Sequence, residues 1–259
     1  MNFEKFIAKR LHNEKNLQHS ISKPIIKIAI TAVSLSITVM ILAIATGKGL
    51  QKKISAKVTG FTSDIQVSVL DLNKSLEVKP IQVDSSTINN YLQIKGISHI
   101  NKQISKNALI KTKSDFEGII VKGVGENYNW DFIQSHLTDG TCPKYLSSIK
   151  SNEILISRKL ANKLQLQINE EPFIYFQGQN YIQPLIRKFT IVGIYETGID
   201  LFDDFLIIAD LKHLQKINEW NKDQFSSIEI KIKEGYNKNE VLEMVKMTSP
   251  YNTRVRNTK

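Results

Sequence analysis

The chain has 259 residues, 41% of them hydrophobic, a formal net charge of +10 and one cysteine. The apolar content allows a real core, and the lone Cys142 excludes a disulfide-stapled scaffold. The basic balance raises nucleic-acid binding as a class, but no aromatic-plus-basic cluster or known motif accompanies it; much of the charge flanks one apolar run, where it reads as contact with lipid headgroups.

Phe3, Phe6, Ile7 and Leu11 recur at helical spacing, with Lys5, Lys9 and Arg10 mostly off that stripe. The spacing predicts a short amphipathic helix suited to a membrane interface, the alternative being a charged, frayed tail. Pro24 then stands where a helix starts.

Ile28 to Thr46 carries no charge, and Lys27 and Lys48 stand close to its ends. At ~1.5 Å per residue such a helix is roughly 28 Å long, about the thickness of bilayer hydrocarbon. Two other readings compete with a transmembrane helix. A cleaved signal peptide would use Ala43 and Ala45, but its leading segment would carry Glu4 and Glu14 and its apolar core would be too long. A buried core helix would show a polar stripe, which Thr31, Ser34, Ser36 and Thr38 do not make. Their hydroxyls can bond back to the preceding turn. Lysines both precede and follow the run, so charge favours a cytoplasmic N-terminus only weakly.

Leu50, Ile54 and Val58 continue the apolar spacing and predict a stalk helix that Gly60 ends. Strands and helices then alternate. Ile65 to Leu70 reads as a strand, Thr87 to Lys95 as a helix capped by Ser85 or Ser86, and Ala108 to Lys113 with Gly118 to Val124 as a strand pair. Glu153 to Ile156 is a short strand, followed by a helix that Ser157 caps. Phe173 to Phe176 and Lys188 to Tyr195 are two strands joined by a loop, and Phe205 to Ala209 is a buried strand before a helix capped by Asp210. Ser227 to Lys233 alternates, Asn237 caps a last helix and Pro250 stops it. Strands dominate and helices pack on them, so the class is α+β.

Chemical motifs are missing. The sequence has no HExxH, CxxC, GxSxG or complete phosphate loop. Thr46-Gly47-Lys48 lacks the upstream glycine, and Gly123-Val124-Gly125 lacks the third glycine of a dinucleotide fingerprint. His12, His19, His99, His136 and His213 are scattered without ligand spacing. Asp200, Asp203 and Asp204 form an acidic cluster that reads as a solvated turn more readily than as a cation site. The sequence therefore names no catalytic residue, cofactor or metal ligand, and does not read as an enzyme.

The segments Phe6 to Arg10, Lys57 to Phe61, Asp64 to Val67, Ile120 to Val124, Glu153 to Ala161 and Phe189 to Gly198 follow one another in an order that resembles the lipoprotein-releasing (Lol-type) permeases of the MacB/FtsX class of ABC transporters. The resemblance covers essentially the whole chain. It implies a bacterial inner-membrane protein with a cytoplasmic N-terminus and a two-lobed, MacB-like periplasmic core domain. It also implies a separate ABC ATPase subunit, a second permease subunit (identical or not), contact with membrane lipid, a lipoprotein client and a periplasmic lipoprotein carrier. No nucleic-acid partner is implied. On this reading residues 1–23 are the interfacial helix, 24–60 the span and stalk, and 61–259 the periplasmic domain. Such permeases continue into three more membrane helices, whereas this sequence stops at Lys259, which reads as a fragment of a longer permease.

Two candidate sites follow from the resemblance. A carrier-binding hairpin falls at Gln177 to Ile186, where Gln177, Tyr181, Ile182, Pro184 and Leu185 would form the tip. Leu50, Ile54 and Val58 would face the client along the stalk. The rival functions are a permease of the same class with another substrate, and a single-span periplasmic adaptor with no transport role.

Overall fold

In the computed structural model, which describes residues 3–13, 22–71, 78–112, 115–178 and 183–258, the chain divides into two compact units, Met1–Ile54 and Ser55–Lys259. The first holds α1 (Phe3–Asn13) and most of α2 (Ser22–Thr62). Large apolar side chains from Ile25 to Ile44 are all more than half exposed on α2. Water is a poor solvent for such a surface, and hydrocarbon a good one. Thr31, Ser36 and Thr38 donate back to the carbonyls of Ile28, Ala32 and Ser34, so their hydroxyls need no water. Among the described residues α2 is the one helix long and apolar enough to cross a membrane. Its exposure rules out the buried core helix.

The second unit runs β1 (Ile65–Val69), β2 (Ile81–Gln82), α3 (Ser85–Leu92), β3 (Ile97–Lys111), β4 (Phe116–Val124), α4 (Asp131–Ser135), β5 (Leu137–Gly140), β6 (Glu153–Ser157), α5 (Arg158–Leu164), β7 (Phe173–Phe176), β8 (Leu185–Lys188), β9 (Thr190–Tyr195), α6 (Asp200–Asp203), β10 (Leu206–Asp210), α7 (Leu211–Asn218), β11 (Gln224–Phe225), β12 (Ser227–Ile232), α8 (Lys238–Thr248) and β13 (Thr253–Asn257). One mixed sheet has the order β13-β1-β12-β3-β4-β10-β6-β9-β5, with β7 and β8 attached beside β3. The pairs β10–β4 and β6–β9 are parallel and the others antiparallel. This mixed sheet with helices packed on it is the α+β class expected.

The long strand β3 ties the sheet together. Its first half pairs with β12, its second half with β7, and Gln103 to Lys111 pair with β4. Two apolar clusters lie on this one sheet. The larger packs Tyr91, Leu160, Leu214, Ile217, Val241 and Val245 of the helices against strand residues. The smaller is aromatic, built from Phe61, Tyr128, Tyr145, Tyr195 and Phe202 with Val124, Leu155 and Ile208. Each large side chain so buried contributes about 1.5–3 kcal/mol. Both cores share one continuous sheet, and Ser55–Lys259 forms one compact unit.

Several expected boundaries shift. Helix α2 does not stop at Gly60 but runs to Thr62, and Ser63 takes the left-handed turn (φ 72°). Gly60 serves packing instead: a Cβ there would stand 2.3 Å from Phe132 Cδ2. The cap of α3 is Asp84, one residue before Ser85, and its carboxylate accepts from Thr87 N at 2.9 Å. Strand β3 starts at Ile97, well before Ala108. Its first half hides polar side chains, Asn101 and Gln103, that break the apolar alternation; Gln103 is satisfied by Ser227 Oγ at 2.8 Å. The expected strand Lys188 to Tyr195 is two strands, β8 and β9, separated at the wholly buried Phe189. Leu185 and Ile186 accordingly belong to β8, paired with Phe176 and Tyr175, and not to a loop.

Candidate functional site

The C-terminal turns of α2 sink into the second unit, where Thr59, Phe61, Ser63 and Asp64 are buried. A helix end presents carbonyls without helical partners and a partial negative charge. Lysines answer both needs. Lys231 Nζ donates to Thr59 O at 3.0 Å, and Lys122 Nζ donates to Phe61 O at 3.1 Å. One turn earlier, Lys57 Nζ donates to Thr197 O at 3.0 Å. Asp64 follows the helix directly. Its carboxylate accepts from Ile232 N at 3.0 Å and forms ion pairs with Lys238 and, at 3.7 Å, with Lys231. The two ends of the domain meet here, since Thr258 N donates to Asp64 O at 3.0 Å.

Beneath the helix end lies a buried ion pair. Lys122 Nζ is 3.0 Å from both carboxylate oxygens of Glu229, and neither residue meets solvent appreciably. The same ammonium lies 5.0 Å from the Phe61 ring centroid and 5.6 Å from that of Tyr128, within the range of a cation–π contact. Burial works against the Lys122 charge, and the opposing effects, led by the attraction of Glu229, together hold the ammonium above its ordinary range. Burial pushes the Glu229 carboxyl up against the pull of Lys122. Burial likewise raises the Tyr128 and Tyr195 phenols, so both stay neutral. Phe61 stacks on Phe202 at 4.3 Å and meets Phe132 edge-on at 6.1 Å. The helix end is thus clamped by charge below and aromatic rings around it. Among the described residues the arrangement offers no nucleophile with an adjacent base.

Of the described sequence-derived candidates, Val58 adjoins this site and the others lie elsewhere. Leu50 and Ile54 are exposed on α2, whereas Val58 packs on the aromatic cluster. Ile28 to Thr46 falls wholly within α2. Tyr181 and Ile182 lie outside the described residues. Gln177 and Pro184 line a shallow groove of about 550 Å³, together with Leu109, Phe116, Ile120, Tyr175 and Phe205. The groove is lined by β3, β4 and β7, where Leu109 faces Gly118 on one side and Tyr175 on the other.

The other sequence candidates have structural duties. Asp203 accepts from Thr197 N, Thr197 Oγ1 and Gly198 N, while Asp200 and Asp204 pair with Lys159. Among the described residues no three His, Cys, Asp or Glu side chains gather as a metal site would need. Gly123 lets α7 press on β4: a Cβ would stand 2.9 Å from Leu211 Cα. Lys122, Glu229 and Asp64 escaped the sequence reading. For Lys122 and Glu229 the signal was charge inside two apolar strands, Lys122 in Ile119 to Val124, and Glu229 with Lys231 in Ile228 to Ile232.

Comparison with known proteins adds to this geometry. Residues 28–247 match the model of the MacB-like periplasmic core domain. The extracellular domain of the noncanonic ABC-type transporter YknZ from Gram-positive bacteria is similar in structure, with 12% identity and a TM-score of 0.50, over 74% of this chain and 99% of that one. The periplasmic region of MacB from Actinobacillus actinomycetemcomitans is similar with 13% identity and a TM-score of 0.52, over 78% of this chain and 92% of that one. At these identities the likeness speaks for the fold. No curated protein matches the chain in sequence.

Proposed function

We infer the function from one premise: the chain belongs to the family of the MacB-like periplasmic core domain, and so to the ABC transporter permeases of the MacB/FtsX class, which work with an ABC ATPase partner. Within that class we propose lipoprotein release: extraction of a lipid-modified client from the inner membrane and its transfer to a periplasmic carrier. Residues 1–23 would lie at the cytoplasmic interface, 24–60 would span the membrane and form the stalk, and 61–259 would work in the periplasm. A second permease subunit, the same or related, would complete the path, with Leu50 and Ile54 facing the client.

The observation that carries the coupling is the clamped end of α2. The apolar run and the buried foot belong to one helix, and that helix ends on Lys122, Lys231 and Asp64. A displacement of the foot must carry β1 and β12 with it, since Asp64 binds Ile232 N and β1 pairs with β12. The groove beside Gln177 and Pro184 supports the carrier reading, because an apolar surface next to a hairpin suits a protein contact. The test is reconstitution in proteoliposomes with the partner ATPase, a fluorescent lipoprotein and a soluble carrier. ATP-dependent transfer to the carrier is the expected result, reduced at least tenfold by Tyr181→Asp. Retention of the lipoprotein under all conditions would refute lipoprotein release.

A further inference from the structure

The floor of the groove beside Gln177 and Pro184 is Leu109 and Gly118, partners in the β3–β4 register. A Cβ on Gly118 would meet nothing within 4 Å, so the floor is open there. Tyr175 and Pro184 stand on one side, Ile120 and Phe205 on the other. The two sides hang from different supports. Among the described residues β7 pairs only with β3 and β8, and β8 only with β7. The buried side chains of β7, Ile174 and Phe176, belong to the larger core, which takes in no described residue of α2.

The Phe205 side belongs to the foot of α2. Phe202 and Leu206, which bracket Phe205 closely, share the aromatic cluster with Phe61. Phe202 of α6 is buried on Phe61, with ring centroids 4.3 Å apart. Lys57 Nζ donates to Thr197 O at 3.0 Å, just before α6. Asp203 closes the turn between them, accepting from Thr197 N at 3.1 Å and Gly198 N at 2.8 Å. The foot thus holds the 197–203 turn at both ends. Phe205 leaves that turn, and its carbonyl accepts from Ile120 N at 2.8 Å. Ser157 donates to Asp203 O, and the Tyr195 hydroxyl to Leu206 O at 2.8 Å, so β6 and β9 join the same block. The outer restraint on α6 is weaker. Lys159 pairs with Asp200 and Asp204 in contact with water, where ion pairs add little. Packed elements joined in this way shift together and pass displacement along the chain of contacts.

We propose that the groove is a jaw set by α2. The foot moves the Phe205 side through α6, while the β7–β8 side stays with β3, so the width of the groove follows the nucleotide state of the partner ATPase. This rests on the reading that ATP-driven motion enters the domain through α2. It adds that a protein held in the groove is gripped or released by that motion.

The test uses the full chain in phosphatidylcholine nanodiscs with the partner ATPase, carrying Cys142→Ser and Gly118→Cys. The probe is a bulky maleimide dye, whose rate of reaction at position 118 reads the width of the groove. The rate should differ by about fivefold or more between the ATP-bound and ADP-bound states, the low end of ordinary allosteric coupling. Phe202→Leu/Lys57→Met should remove most of that difference, and Lys159→Met should retain it. Thermal melting checks that each variant folds. Lys57→Met alone, at an exposed residue, should remove part of the difference even if the double variant folds poorly. Hydrogen exchange of Asp64 to Val67 in the same samples separates two failures. Exchange that differs with nucleotide while the rate at position 118 does not would overturn the jaw and leave the reading of α2 standing. If neither differs, both fall. An undiminished difference in the folded Lys57 variants, or its loss in Lys159→Met, would overturn α6 as the connection.

Discussion

Lys122 and Glu229 form a bidentate ion pair at 3.0 Å under the end of α2, with side chains only 4% and 3% exposed. Such a pair costs much desolvation, and its net contribution to stability is small. Breaking it is different, because one charge is then buried alone. Lys122→Met should destabilise the domain by about 3–5 kcal/mol. Replacing both, as Lys122→Met/Glu229→Met, should recover most of that loss. Recovery stays incomplete because Phe61 O loses its donor. Denaturant unfolding of the detergent-solubilised chain measures both; a double variant no better than the single one would argue against the pair.

Gly60 sits inside α2 where alanine would ordinarily favour the helix by about 1 kcal/mol. The Phe132 ring occupies the space, 2.3 Å from where the Cβ would be. Phe132 is itself held against Phe61 and stacked on His136 at 4.3 Å. Gly60→Ala should therefore destabilise by about 1–3 kcal/mol. Gly60→Ala/Phe132→Leu should be less affected than the sum of its parts. The readout is the melting temperature of the single and double variants, and strict additivity would contradict the steric account.

His213 is buried on α7, and burial pushes its pKa down to about 4, with Lys150 adding to the effect. The folded state thus prefers neutral imidazole, whereas the unfolded chain binds a proton near pH 6.5. Stability is present in full above about pH 6.5 and is lost as pH falls towards about 4, by up to about 3 kcal/mol. His213→Gln keeps a donor near Ser151 O and should flatten that slope. Unfolding free energies between pH 7.5 and 4 decide the matter, and an unchanged slope would exclude His213 as its source.

The sequence patterns that survived are those in which local chemistry acts alone. The charge-free run, the Ser157, Asp210 and Asn237 caps, and the alternation in β12 all depend on neighbours within a few residues. The clamp did not show itself because it is assembled by register. Lys122 and Glu229 lie 107 residues apart and meet only because β3 stands between β4 and β12. The second strand of the hairpin starts earlier than the sequence suggests for a related reason. Phe189 continues the apolar pattern into β9, yet it turns into the core and leaves Leu185 to Lys188 to pair with β7. A glycine inside a helix also reads as a stop, although here it admits a ring from elsewhere in the chain.

The central claim is that motion driven by ATP reaches the domain through the clamped foot of α2. Hydrogen exchange of the amides in Asp64 to Val67 and Ile228 to Ile232, in nanodiscs with the partner ATPase, tests it most directly. Wild type should exchange differently in the ATP-bound and ADP-bound states, and a folded Lys122→Met/Glu229→Met variant should lose at least half of that difference. Identical exchange in the two nucleotide states of the wild type would contradict the account.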